Sequence, residues 1–158
     1  MTEPTSERLV AELGVIPDQL EQLAVSAQRD TPAARAPEEW TPSEIAGHLC
    51  DAARYWGARM RRVAYEDEPT LELFDENVLV RLGAHRYWPL DDFLREFRLL
   101  SEANVAFLRG LAPEQWQRTG VHESRGRLTL REIVAVEAAH EQGHVRQFAQ
   151  VVGGHVAR

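Results

Sequence analysis

Three histidines in this sequence have the spacing to hold a metal ion. His140 and His144 stand four residues apart in a stretch of helical periodicity. On an α-helix that spacing puts them about 40° apart on one face, one turn from each other. Two imidazoles so placed can converge on one ion. Ile133 lies seven residues before His140 and Val151 seven after His144, and seven residues bring a helix back to within about 20° of the same direction. Both histidines therefore share a stripe that faces a core. His48 occupies a second helical stretch, on the side of Ile45, Leu49, Ala52 and Tyr55.

Burying an imidazole without a partner costs roughly 1–3 kcal/mol. A single histidine on an apolar face is more often a hydrogen-bonded core residue than a ligand. A pair, joined by a third from another inward face, favours metal ligation. Three neutral histidines leave a coordination position for water or substrate, the pattern of a catalytic site rather than a closed structural one. Zinc, nickel, iron(II) or another divalent ion suits imidazole ligands.

The segment His140-Glu141-Gln142-Gly143-His144 also matches H-E-x-x-H, the metalloprotease pattern in which the glutamate is the general base. The extended form of that pattern needs a glycine and a histidine where this chain has Gln147 and Gln150, and no acidic residue follows Glu141. Peptide hydrolysis is accordingly the weakest reading. Glu141 falls about 100° from His140 and about 60° from His144 on a helix. Glu137, one turn before His140, is an alternative acceptor for an imidazole N–H. An ordinary ion pair is the plainer expectation for either acid.

These residues need helices to position them. A first helix is expected from about Ser6 to Gln28, loosened at Gly14 or Pro17, with Leu9, Leu13, Ile16, Leu20 and Leu23 on one stripe. Pro32 and Pro37 mark a loop from Arg29 to Glu39. Thr41, Pro42 and Glu44 form an N-cap, a first-turn proline and a capping-box acid, with Trp40 and Ile45 as a hydrophobic staple. That helix should reach about Tyr65. A mixed connection from Glu66 to Trp88 holds a short helix near Phe74–Leu82. A third long helix runs from Pro89 to about Arg109 and stops at Gly110 and Pro113. Glu114 to Gly126 is irregular. Thr129 and Glu132 repeat the capping box ahead of a fourth helix that ends near Val152, before Gly153 and Gly154. With no strand-like alternation, this is an all-α four-helix bundle with a long connection between its second and third helices.

Length and charge narrow the functions. The chain has 158 residues, which suggests one domain spanning 1–158. Its net charge is -7 and it contains no lysine, so nucleic acid is a poor partner. The cluster Arg59, Arg61 and Arg62 reads as a solvated helix face. No apolar run suits a membrane helix, no leader pattern follows Met1, and Cys50 has no partner for an intramolecular disulfide. A cytoplasmic protein is expected. Cys50 lies about 200° round the helix from His48 and should point away from the metal as a small buried side chain. His122 is expected to pin a loop by a hydrogen bond, and His85 and His155 to be exposed. Tyr55, Trp56 and Trp88 are more readily core than pocket lining.

The order of these pieces resembles a known family. Trp40-Thr41-Pro42-Ser43-Glu44-Ile45, then Gly47-His48-Leu49 and Asp51, resembles the second helix of the DinB-like superfamily, most closely its YfiT-like branch of metal-dependent hydrolases. Glu66-Asp67-Glu68-Pro69-Thr70 is similar to that branch's acidic connection. Arg118-Thr119-Gly120-Val121-His122, then Gly126, is similar to the segment before its last helix, and His140 and His144 match its H-x-x-x-H pair. The resemblance covers about Trp40 to Val152. It implies a four-helix bundle holding zinc or nickel through His48, His140 and His144. It also implies a homodimer and a small-molecule substrate. Members include transferases that join low-molecular-weight thiols to small electrophiles, so the thiol becomes a candidate co-substrate. The resemblance assigns no catalytic side chain. A non-catalytic metal- or ligand-binding bundle is the alternative, distinguished by a coordination sphere closed by protein ligands.

Overall fold

The computed structural model describes residues 4–27 and 39–153. Helix α1 (Ser6–Gly14) is capped by Thr5, whose hydroxyl accepts from the Arg8 backbone N–H at 3.3 Å. The chain then breaks at Val15 and restarts as α2 (Ile16–Ala27). The expected single helix is thus two. Pro17 lies in the first turn of α2, where its missing N–H removes no hydrogen bond. Both pieces keep one buried stripe through Leu9, Leu13, Ile16 and Leu20. Of the expected loop, all but Glu39 lies outside the described residues.

Helix α3 (Pro42–Tyr65) opens on the expected capping box: the Glu44 N–H donates to Thr41 Oγ1 at 3.2 Å and the Thr41 N–H to Glu44 Oε2 at 2.8 Å. After it come strand β1 (Thr70–Leu71), the short helix α4 (Glu76–Leu82) and a 3-10 turn at His85–Tyr87. Helix α5 (Leu90–Arg109) ends at Gly110. A 3-10 turn at Gln115–Gln117 and strands β2 (Thr119–His122) and β3 (Gly126–Thr129) lead into α6 (Leu130–Val152). Its capping box repeats that of α3, with Glu132 N–H to Thr129 Oγ1 at 3.2 Å and Thr129 N–H to Glu132 Oε2 at 2.7 Å.

The sheet was not expected. β1 pairs parallel with β2 (Thr70 opposite Val121, Leu71 opposite His122), and β2 pairs antiparallel with β3. Runs of two and four residues are too short to carry an alternation. The sheet ties the long connection to the segment before α6. Gly120 lets it lie close to α3, because a Cβ there would stand 2.8 Å from Val63 Cγ2.

The bundle is formed by α1 with α2, α3, α5 and α6. α3 packs on α5 and α6, and α1 and α2 pack on the same two helices. Two apolar clusters make the core. One gathers Leu9, Trp56, Met60, Val63, Leu130 and Val134; the other gathers Leu20, Ile45, Leu49, Phe97, Val145 and Phe148. On α6 the two are separated by Glu137, His140, Glu141 and His144, so a polar layer divides the interior. No helix among the described residues is long and apolar enough to cross a membrane.

Two side chains expected at the surface are inside. His85 is 7% exposed, and its Nε2 donates to Asp51 Oδ2 at 2.7 Å. Its ring fits between two glycines, where an added Cβ would meet it at 2.5 Å from Gly47 and 2.2 Å from Gly83. Arg59 is 6% exposed, whereas its neighbours Arg61 and Arg62 lie half-buried. Arg61 donates to Gly57 O and Asn104 Oδ1, and Arg62 pairs with Glu66 at 3.0 Å.

The two capping boxes position the helices that carry the histidines. Thr41→Ala is expected to cost about 1 kcal/mol of stability. Urea unfolding of wild type and variant measures it directly; an unchanged midpoint would show that α3 does not depend on its cap.

Candidate metal centre

α3 carries His48 and α6 carries His140 and His144 into the polar layer. His48 is fully buried. Its Nε2 lies 3.1 Å from His140 Nε2, which lies 3.1 Å from His144 Nε2. The three rings meet edge to face, with centroids 4.4–5.1 Å apart. Trp40 closes one side, its ring parallel to that of His144 at 6.2 Å and tilted on His48 at 5.2 Å.

Hydrogen bonding alone does not account for this meeting. His144 Nδ1 lies 2.7 Å from Gln147 Oε1, an acceptor, so Nδ1 carries the proton and Nε2 is a lone pair. His140 Nε2 touches both other nitrogens, yet one atom is either donor or acceptor. If it donates to His144, His48 has to be the acceptor of a proton already used. If it accepts from His48, two lone pairs face each other across the His140–His144 contact. One cation resolves all three. Nitrogens each about 2.0–2.1 Å from a shared ion, at angles between octahedral and tetrahedral, lie about 2.8–3.4 Å apart.

The protonation states agree with that use. Burial, then the neighbouring His144 and His140, pushes the His48 pKa down to about 3. Burial and then His144 push His140 down to about 4, and burial lowers His144. All three stay neutral at ordinary pH and keep lone pairs for a metal. The Nδ1 atoms of His48 and His140 are buried without a hydrogen bond. Glu137 Oε2 stands 3.8 Å from His140 Nδ1, on the side where a histidine ligand is usually oriented by a carboxylate.

A fourth group joins them. Glu76, the first residue of α4, brings Oε2 to 3.6 Å from His48 Nε2, and its ligand atom and the three imidazole nitrogens all lie within 4.8 Å of one another. Its side chain is 46% exposed, so the cluster is open toward α4. Glu76 was invisible in the sequence: it follows a proline-interrupted connection, so no helical spacing relates it to His48. Its only local signal is Asp75, which caps α4 by accepting from the Val78 N–H at 3.1 Å.

The remaining candidates sort clearly. Glu141 is 3% exposed and Glu137 1% exposed. Burial comes first in raising both carboxyl pKa values, Glu141 to about 7; for Glu137 the charge of Glu141 adds to the rise. Glu141 lies outside the cluster of ligand atoms, whose carboxylate is that of Glu76. His122, on β2, is buried; its Nδ1 lies 3.3 Å from the Ser124 N–H and hydroxyl, so it pins the β2–β3 turn. Cys50 is buried with Sγ toward the Phe93 carbonyl at 3.3 Å, and burial pushes its thiol up to about 12. Trp56 is core, Tyr55 stacks on Phe74 at 4.2 Å, and Trp88 is exposed. His155 lies outside the described residues.

Known proteins place this geometry in context. The sequence profile of the DinB superfamily matches residues 11–148. An Oceanobacillus iheyensis protein named "putative metal-dependent hydrolase OB0782" is 24% identical over 112 residues, 71% of this chain and 64% of its own length. The chain therefore spans less than two thirds of that relative. YfiT from Bacillus subtilis, described as a probable metal-dependent hydrolase with an unusual four-helix bundle topology, superposes with a TM-score of 0.81. It is 21% identical, and the match covers 96% of this chain and 87% of YfiT. At that identity the likeness establishes the fold.

Two outcomes follow from the buried acids and thiol. A carboxyl whose pKa is raised on folding stabilises fully below its unfolded value, and that contribution is lost as pH rises through the folded value. Glu141→Gln should therefore leave the metal-free protein unchanged near pH 4.5 and raise its thermal midpoint at pH 8. A gain of about 2–4 °C corresponds to roughly 1 kcal/mol in a chain this size. Equal midpoints at both pH values would show Glu141 ionising freely in the fold. Cys50 should resist an aqueous thiol reagent at pH 8 in the native protein and react fully once unfolded, because a buried protonated thiol is a poor nucleophile.

Proposed function

The chain belongs to the DinB superfamily, and from that premise we propose that it is a metal-dependent enzyme acting on a small molecule, with His48, His140 and His144 as the ligands of one divalent ion. The observation that carries this is the meeting of three neutral imidazole nitrogens, those of His48 and His144 each 3.1 Å from that of His140, which hydrogen bonds leave unsatisfied. Zinc or nickel suits the donor set. When bound, the ion supplies a Lewis acid that lowers the pKa of a water or thiol beside it.

The chain's own groups do the rest. Gln147 fixes the His144 tautomer by accepting from Nδ1. Trp40 and the apolar cluster around Ile45 and Phe148 exclude water from the back of the rings. Glu137 brings a carboxyl to 3.8 Å from His140 Nδ1, beyond hydrogen-bond distance but on the side from which an acceptor would orient that ring. Glu76 puts a carboxylate on the open side.

Hydrolysis is the reaction we favour, supported by the names of the two relatives. Transfer of a low-molecular-weight thiol to an electrophile is the second reading and rests on the family resemblance. Two observations argue against other uses. The exposed side of the cluster is not sealed by buried protein ligands, as a purely structural site would be. Glu141 is packed away beside Glu137, so the metalloprotease reading lacks its base at the ion. A single domain, a homodimer and a cytoplasmic location complete the proposal.

The test is elemental analysis of protein purified without a histidine tag. About one divalent ion per chain is expected, lost in His48→Ala and His140→Ala while both variants keep their helical circular dichroism. A wild type that takes up neither zinc nor nickel would overturn the site. With metal bound, hydrolysis of small esters and amides and thiol-dependent loss of a small electrophile are measured side by side. Turnover that disappears on chelation supports an enzyme; full metal with turnover in neither assay supports the binding bundle.

A further inference from the structure

Glu76 reaches the histidines only if the connection from α3 to α4 is held in place. Thr70 and Leu71 are fixed by pairing with β2, and Leu71 is fully buried. The next attachment is Arg59. It lies eleven residues after His48 on α3, about 20° from the same face and about 16 Å further along. A helical side chain leans back toward the N-terminus, which aims Arg59 toward the site. Its Nη2 donates to the Glu72 backbone carbonyl. Its guanidinium lies 5.0 Å from the Trp56 ring, 5.5 Å from Phe74 and 5.9 Å from Tyr55. Phe74 stacks on Tyr55, Asp75 caps α4, and Glu76 follows.

A buried arginine ordinarily meets a carboxylate, because an unpaired charge is costly to bury. Among the described residues none lies within ion-pair distance of Arg59. Its close contacts are a main-chain carbonyl and three rings, one of which belongs to the connection itself, while the carboxyls of Glu137, Glu123 and Glu72 act on it from beyond ion-pair distance. A solvated helix face or a simple ion pair would do neither.

We propose that Glu76 is a fourth protein ligand of the ion held by the three histidines, in a five- or six-coordinate set that keeps a position for water or substrate, and that Arg59 is the residue that positions it, by clamping Glu72–Phe74 onto α3. This rests on the metal site proposed above. The clamp makes the coordination set depend on a residue that touches no ligand atom. It also changes the charge of the site: three neutral imidazoles leave a divalent ion at +2, and a bound carboxylate brings it to +1. A mixed nitrogen and oxygen donor set also suits a wider choice of divalent metals than imidazoles alone.

Cobalt(II) binding to the full chain tests this, read by chelator competition and by the visible absorption of the bound ion. Glu76→Gln is expected to weaken binding at least tenfold and to alter the spectrum. Arg59→Met should reproduce that spectrum and weaken binding about 10–100-fold, the usual range for residues that orient ligands. The double variant should be no weaker than Glu76→Gln alone, since both act through one carboxylate. Arg59→Lys, which keeps a donor, should recover part of the loss. If Arg59→Met does not fold, Phe74→Leu loosens the same clamp and should give the Glu76→Gln spectrum. Unchanged affinity and spectrum in Glu76→Gln would remove Glu76 as a ligand while leaving the histidine site intact. Independent, multiplying effects of the two substitutions would overturn the role of Arg59. Retention of cobalt by His140→Ala would instead refute the metal site beneath the proposal.

Discussion

Three imidazole lone pairs cannot crowd together in a protein interior unless something holds them there. His48, His140 and His144 come from two helices and sit in a layer with apolar packing above and below. Neither α3 nor α6 is free to slide, because a displacement of one turn, about 5.4 Å, would break the convergence of nitrogens now 3.1 Å apart. The two capping boxes fix where each helix begins. The clusters on either side then fix how far each has run when it reaches the layer.

The same layer carries buried polar groups that the apolar core does not satisfy. Burial raises the carboxyl pKa values of Glu137 and Glu141, and Arg59 is buried against rings and a carbonyl. Such groups are expensive to maintain in the interior. Glu137 and Glu141 flank His140 on α6, so their cost is concentrated where a polar ligand would be handled. The apolar clusters, with Leu20, Leu49, Phe97 and Ile133 fully or nearly fully buried, are what makes this affordable.

Much of this was legible in the sequence because it is local. Thr41 with Glu44 and Thr129 with Glu132 announce helix starts within four residues, and the i, i+4 histidines declare their own face. His48 follows from the apolar stripe around it. What stayed hidden depends on distant chain. Glu76 and His85 reach α3 through a connection with no regular period, and the strands are too short to show one. Arg59 is a different case. Its eleven-residue spacing from His48 placed it on the inward face, but its neighbours Arg61 and Arg62 made it look like one of a solvated group. The break at Val15 was legible as a weakness, with Gly14 and Pro17 beside it, though not as a complete restart of the helix.

The distance along the chain between the ligands has a consequence for synthesis. His48 and His140 are 92 residues apart. At about 5–20 residues per second, roughly 5–18 s pass between making one and making the other. During that interval α3 has left the ribosome with one imidazole and no second ligand from α6, so a metal ion has little to grip. The three-histidine set proposed above is therefore complete only once α6 is made, after α1 to α5 have been synthesised.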